Sequence, residues 1–254
     1  MKISVWALCA VTLFAGCSRS TPTPAATASP APNYFQPNPA TAGSISGTVH
    51  WKGSRPAMAV VDMSSDPACA RLNPGKVYDN SVVIDRKGNV ANAFIYIKAG
   101  LEGKTFAVPT TPVTIDQRAC RFQPLILGVQ TQQRVDIINS DPVTHNIHPM
   151  AHINREWNHS QESGDPAMHR QFLKQEIMIP VKCNIHGWMR EYIGVVDNPY
   201  FAVSGQDGHF EIPNLPPGTY TIAIWHEKAG IEEQQVTVPA HGAQQVTFDL
   251  HTKS

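Results

Sequence analysis

Cys183, His186 and Met189 stand three residues apart in the stretch KCNIHGWM, residues 182–189. A thiolate, an imidazole and a thioether this close together suit copper, which takes two histidines and a cysteine in a trigonal site with a weak axial methionine. The loop lacks one imidazole. THNIHPM, residues 144–150, offers two: His145 comes first after the turn marked by Asp141 and Pro142, and His148 lies three residues further on. Zinc is the rival metal, because one cysteine, two histidines and a water make a tetrahedral site. Methionine is a poor zinc ligand, however, and Met189 would then stand there by accident. Without a metal, Cys183 would be one more small buried apolar residue.

Such ligands need a rigid frame. From Gly43 onward, runs such as SISGTVHW, NAFIYIK, RVDIINS, EYIGVV, YTIAIW and QQVTFDL are rich in Val, Ile, Thr and aromatics, and Gly, Pro, Asn or Asp bound them. Many short strands without a long amphipathic helix predict an all-β fold of sandwiches or barrels. The polar segment 151–175, with Gly164, Asp165 and Pro166, breaks the pattern and predicts a short helix or a long loop. Its histidines, His152, His159 and His169, lack the tight spacing of a second metal site.

Acidic and basic residues balance at 20 each, with no basic tract, so no nucleic-acid partner is expected. The sequence contains no Gly-x-Ser-x-Gly elbow, no phosphate-cradling glycine loop and no His-Glu-x-x-His helix. A non-catalytic protein is expected.

The chain opens with MKISVWALCAVTLFAGCSRS: a positive start at Lys2, then an apolar run that is short of the ~20 residues a bilayer span requires. This reads as an export signal. The Leu-Phe-Ala-Gly-Cys sequence ending at Cys17 resembles the lipobox of bacterial lipoproteins, which implies lipid on Cys17 and a membrane anchor. Residues 18–42, rich in Pro, Ala, Ser and Thr with no periodic apolar face, are expected to form a disordered tether. Of five cysteines, Cys9 leaves with the signal and Cys17 carries lipid, so Cys69, Cys120 and Cys183 remain. In an oxidising compartment two of the three pair, and the third needs an occupant. The expected disulfide is Cys69 with Cys120, although spacing alone leaves pairings with Cys183 open.

The stretches RFQPLILGVQTQQRVDIINSDPVTHNIHP and PVKCNIHGWMREYIGVV resemble the cupredoxins, the type 1 blue copper proteins, from about Cys120 to Val196. Cys-x-x-His-x-x-Met is the short ligand-loop spacing of amicyanins. The resemblance implies a Greek-key sandwich, one type 1 copper on His145, Cys183, His186 and Met189, and electron exchange through an exposed edge of His186. It also implies a small docking patch around Gly187 and Trp188 for a transient redox partner. Under this reading His148 orients the loop and Trp188 packs against the site.

DGHFEIPNLPPGTY, within 198–254, is similar to carboxypeptidase regulatory-like (transthyretin-like) sandwiches. The expected division is a signal peptide at 1–17, the tether at 18–42, a copper domain at 43–197 and the small sandwich at 198–254. Because SISGTVHWKG also resembles the first strand of that module, a copper domain inserted within it is the alternative. The expected function is an envelope-located one-electron carrier. A copper-holding protein and a metal-free surface-binding module are the other readings.

Overall fold

The computed structural model describes residues 33–252, so the expectations for the signal, for Cys17 and for most of the tether lie outside the described residues. The strands are β1 (Gly43–Trp51), β2 (Val60–Val61), β3 (Val77–Tyr78), β4 (Val83–Ile84), β5 (Val90–Ala91), β6 (Phe94–Ala99), β7 (Val113–Arg118), β8 (Arg121–Gln123), β9 (Ile126–Gln130) and β10 (Val135–Asn139). They continue as β11 (His145–Pro149), β12 (His159–Gln161), β13 (Met168–Arg170), β14 (Glu176–Lys182), β15 (Arg190–Val196), β16 (Phe201–Val203), β17 (His209–Leu215), β18 (Gly218–His226), β19 (Gly230–Val238) and β20 (Ala243–Leu250). One short helix, α1 (Pro67–Leu72), interrupts them. The fold is all-β, as the short alternating runs dictate.

Two sandwiches are nested. The first faces sheet β17-β1-β20 against sheet β16-β6-β18-β19, around a core that includes Ile45, Val49, Ile95, Ile97, Ile222 and Phe248. The second faces sheet β13-β10-β7-β8 against sheet β12-β11-β14-β15-β9, around Ile115, Val129, Ile137, Ile147, Ile179 and Ile193. The chain leaves the first sandwich after β6, builds the whole of the second from β7 to β15, and returns at β16. The sheets therefore do not divide at 197/198. β1 bonds parallel to β20 and antiparallel to β17, because its inward residues Ile45 and Val49 have their apolar partners on the C-terminal strands. The inserted arrangement is the one the hydrogen bonds follow.

Two further expectations change. The end of the expected tether is packed: the Phe35 N–H donates to Thr105 O at 2.7 Å, and its ring meets Phe106 edge-on at 5.7 Å. An aromatic side chain with an apolar neighbour gains more by burial than the backbone loses by ordering. Segment 151–175 contains neither a helix nor a single long loop, because β12 adds to β11 and β13 adds to β10.

The sandwiches meet through a third apolar layer. Along β6, Phe94 and Tyr96 point into this layer while Ile95 and Ile97 point into the first core, which is why four consecutive residues are buried. Opposite them, Gly128 of β9 and Gly194 of β15 are cross-strand partners. A methyl on Gly128 would meet the Phe201 ring at 2.5 Å, and one on Gly194 would meet Phe94 at 2.6 Å. The paired glycines form the dent that receives Phe94. Gly194→Val is expected to lower stability by about 1–3 kcal/mol through overpacking, read from the urea midpoint at constant slope; an unchanged midpoint would contradict this packing.

At the end of β18, His226 is buried against Trp51 with no partner on Nε2. Burial, aided by the nearby Lys228 charge, pushes its pKa down to about 4. Between pH 6.5 and 4 the unfolded chain therefore binds a proton that the folded chain does not, so stability falls as the solution is acidified through that window. His226→Gln should remove a share of this acid sensitivity on the order of 3 kcal/mol at most, measured as a flatter plot of urea-unfolding free energy against pH.

Candidate metal centre

Strand pairing builds the site at one end of the second sandwich. β11 carries His145, Ile147 and Pro149 on its buried face, and it pairs with β14 so that His148 stands opposite Lys182. Cys183 follows β14 directly, and the tight loop to β15 is closed by backbone bonds from Cys183 N to Met189 O (3.2 Å) and from Met189 N to His186 O (2.9 Å). These two bonds fold the three-residue spacing of Cys183, His186 and Met189 inward. Met189 is fully buried in the same apolar cluster as Cys183.

His145, Cys183 and His186 converge with their donor atoms within 4.8 Å of one another, all three buried. The two imidazoles present Nδ1 to each other at 2.9 Å, and Cys183 Sγ lies 3.8 Å from His186 Nδ1. Bonds of about 2.0–2.1 Å in a trigonal plane separate their donors by roughly 3.5 Å, which these two distances bracket. The donor set fits a metal of His2Cys type with Met189 at hand, the combination that favours copper over zinc.

The electrostatics prepare the donors. Burial opposes the charge on His145, but hydrogen bonds to Asp141 and Cys183 overcome it and raise its pKa to about 8. Burial likewise disfavours the Cys183 thiolate, yet His145 and the backbone N–H groups of Asn146, His186 and Ile185 lower its pKa to about 7. A thiol with a depressed pKa is one that readily becomes a ligand.

Two carboxylates hold the outer nitrogens, and neither was foreseen as part of the site. Asp141 Oδ2 lies 2.8 Å from His145 Nε2, and Asp141 also accepts the N–H groups of Ala119 and Cys120 at 2.7 Å each. Asp66 Oδ2 lies 3.0 Å from His186 Nε2, while Oδ1 of the same side chain caps α1 by accepting from Ala68 N and Cys69 N. The His186 contact, with these backbone bonds, holds Asp66 down to about 2. Cys69 and Cys120 are joined as a disulfide, Cys183 is the free thiol, and the Cys69 sulfur sits 3.7 Å from His186 Nε2. The helix that Asp66 caps is thereby tied to the turn that Asp141 organises. The signals were present in the sequence: Asp66-Pro67 is a helix start with a capping acid and a proline at the first turn, and Asp141 follows a strand.

His186 is therefore only 3% exposed, and the expected solvent-facing edge is absent. Asp66, α1 and the half-buried Trp188, whose Nε1–H donates to Cys120 O, cover it. Trp188 tilts against His186 at 5.1 Å, so it is part of this cover. His148 stands outside the group, 2.6 Å from Glu156 and 3.4 Å from Asn184. His152, His159 and His169 join no metal-ligating group among the described residues. Glu191, two residues beyond Met189, is buried with neither carboxyl oxygen hydrogen-bonded, and burial raises its pKa well above the usual carboxylate range.

No family model matches the chain, and no curated protein matches it in sequence. Among solved structures, part of it is similar to a copper-containing nitrite reductase from Thermus scotoductus SA-01, with TM-score 0.33, 19% identity, and coverage of 39% of this chain and 25% of that one. Another part-match is the oxidised form of an amicyanin mutant, with TM-score 0.31, 19% identity, and coverage of 40% and 97% respectively. A third is a purple cupredoxin from Nitrosopumilus maritimus, with TM-score 0.29, 21% identity, and coverage of 33% and 98%. The chain spans a quarter of the reductase's length, and likenesses this weak transfer no activity.

Carboxylates on ligand imidazoles fix ring orientation and basicity, and their loss typically costs about 10–100-fold in metal affinity. Asp141→Asn is expected to weaken Cu(II) binding within that range in a chelator competition titration. Affinity equal to the parent protein would show that Asp141 serves the fold alone.

Proposed function

We propose that this chain is a cupredoxin-type one-electron carrier in which Cys183, His145, His186 and Met189 would hold a single copper. The observation that carries this reading is the convergence of the Cys183 thiol and the His186 Nδ1, on a loop closed by Met189, with the facing Nδ1 of His145 on β11. Bound there, copper would supply a one-electron couple. The chain's own residues do the rest. Asp141 and Asp66 fix the two rings, backbone N–H groups stabilise the thiolate, and the apolar cluster excludes water. Ligands held this firmly on a β framework change little with the charge they surround, which suits transfer of an electron without bond making. With Met189 as a fourth donor, the protein would occupy the metal's positions itself, which supports a carrier.

Export, a lipid anchor at Cys17 and a transient redox partner in the cell envelope belong to the same proposal, supported by the leader sequence and the lipobox resemblance. The first sandwich is proposed to be a transthyretin-like support into which the copper module is inserted. The cover over His186 favours a second reading, a copper-holding protein whose metal is shielded from exchange.

Titrating the tether-free protein with Cu(II) should give an intense thiolate-to-copper band that saturates at one copper per chain. Cys183→Ser should abolish that band with the far-UV circular dichroism unchanged, and Met189→Leu should retain it with a higher reduction potential. Persistence of the band without Cys183 would remove the assignment. A coloured site that gives no reversible voltammetric response would favour the copper-holding reading.

A further inference from the structure

The segment between β11 and β14 builds a surface that the carrier reading leaves unused. A cleft of about 820 Å³ opens between residues 153–158 and 170–174. Its walls are set by hydrogen bonds. Asn154 accepts the N–H groups of Leu173 and Lys174 and donates to Lys174 O, while Glu176 accepts from His152 N and Asn154 N. On this fixed frame Ile153 and Leu173 are left 56% and 67% exposed, and Trp157 lines the cleft under the Arg170 guanidinium at 5.1 Å. A tryptophan and an arginine among exposed apolar side chains are the residue types that anchor protein interfaces, and a backbone already fixed lowers the ordering cost of binding.

The charge around these anchors is predominantly positive, three cations to one acid. Arg155, Arg170 and Lys174 line the cleft beside one acid, Glu156, whose Oε1 lies 2.6 Å from His148 Nε2. One wall of the cleft connects to Cys183 through two asparagines. Trp157 packs against the apolar cluster that contains Cys183 and Met189. Its neighbour Asn158 accepts from Asn146 Nδ2 at 2.6 Å, and Asn146 Oδ1 accepts from the Cys183 thiol at 3.3 Å. The opposite approach, past His186, is closed by Asp66 and Trp188.

From this, and resting on the carrier reading, we infer that the cleft between residues 153–158 and 170–174 is the docking surface for a one-electron redox protein with an acidic face. One electron crosses between the partner's centre and the copper held by Cys183, one centre being oxidised as the other is reduced, and no proton or group moves. Cationic residues around an apolar anchor steer an acidic partner and lose that advantage as salt rises.

The test uses succinylated cytochrome c as an acidic probe and native cytochrome c as its basic counterpart, with the copper-loaded protein and with Arg155→Glu/Lys174→Glu. The succinylated probe should shift backbone amide resonances of Ile153, Trp157 and Leu173. Its electron-exchange rate at low salt should fall at least about tenfold in the double variant, whose visible band is unchanged, and the gap should close in roughly 1 M salt, where charges are screened beyond a few ångströms. A coloured protein whose variant exchanges at the parent rate, or whose shifted amides cluster at Asp66 and Trp188, overturns the docking surface alone. A protein that stays colourless with Cu(II) overturns the carrier reading and this inference with it.

Discussion

A buried carboxylate, Asp141, is the contact on which the site rests. Two imidazoles and a thiol inside an apolar cluster are costly to desolvate, and they are tolerable only when their polar atoms are partnered. Asp141 supplies that partnering from one side by taking His145 Nε2 and two successive backbone N–H groups at the Ala119–Cys120 turn. Because it accepts three hydrogen bonds it stays ionised in spite of its burial. Its charge then favours protonated His145, which in turn favours the Cys183 thiolate. One acid thus passes its influence through a ring to a sulfur.

The same turn ties the site to its cover. Cys120 carries the disulfide to Cys69, Cys69 sits in the helix that Asp66 caps, and Asp66 closes on His186. A cross-link over 51 residues restricts the unfolded chain substantially. In the folded chain it places the second carboxylate within reach of the second imidazole. Cover, disulfide and ligand orientation are one assembly, which is why His186 is not the solvent-facing port that the short ligand loop leads one to expect.

The larger frame serves the site by fixing β9, β14 and β15 from behind. Phe94 of the first sandwich seats against Gly128 and Gly194, so the sheet that carries the ligand loop is buried on both faces. Interiors this closely packed transmit little deformation. The cleft runs along the edge of that sheet, held at one side by Asn154 on Lys174 O and at the other by Asn158 on Asn146, which in turn accepts from the Cys183 thiol.

Several features were legible in the residues themselves because they depend on local chemistry and short-range order. Alternating β-branched runs specified strands, and soft donors at fixed spacing specified a metal loop. Three cysteines left to the folded part specified one thiol in need of an occupant. What depended on contacts between distant segments could not be read. No local pattern says that Ile45 and Val49 find their partners on β20, at the far end of the chain, where pairing is parallel and long-range. Asp66 and Asp141 look like ordinary capping and turn residues, and only tertiary structure brings them onto His186 and His145. The sequence by itself determined which atoms are able to bind a metal. The fold decided which nitrogens face inward, which edge is covered and where a partner can approach, because burial and orientation belong to the packed chain and not to any stretch of it.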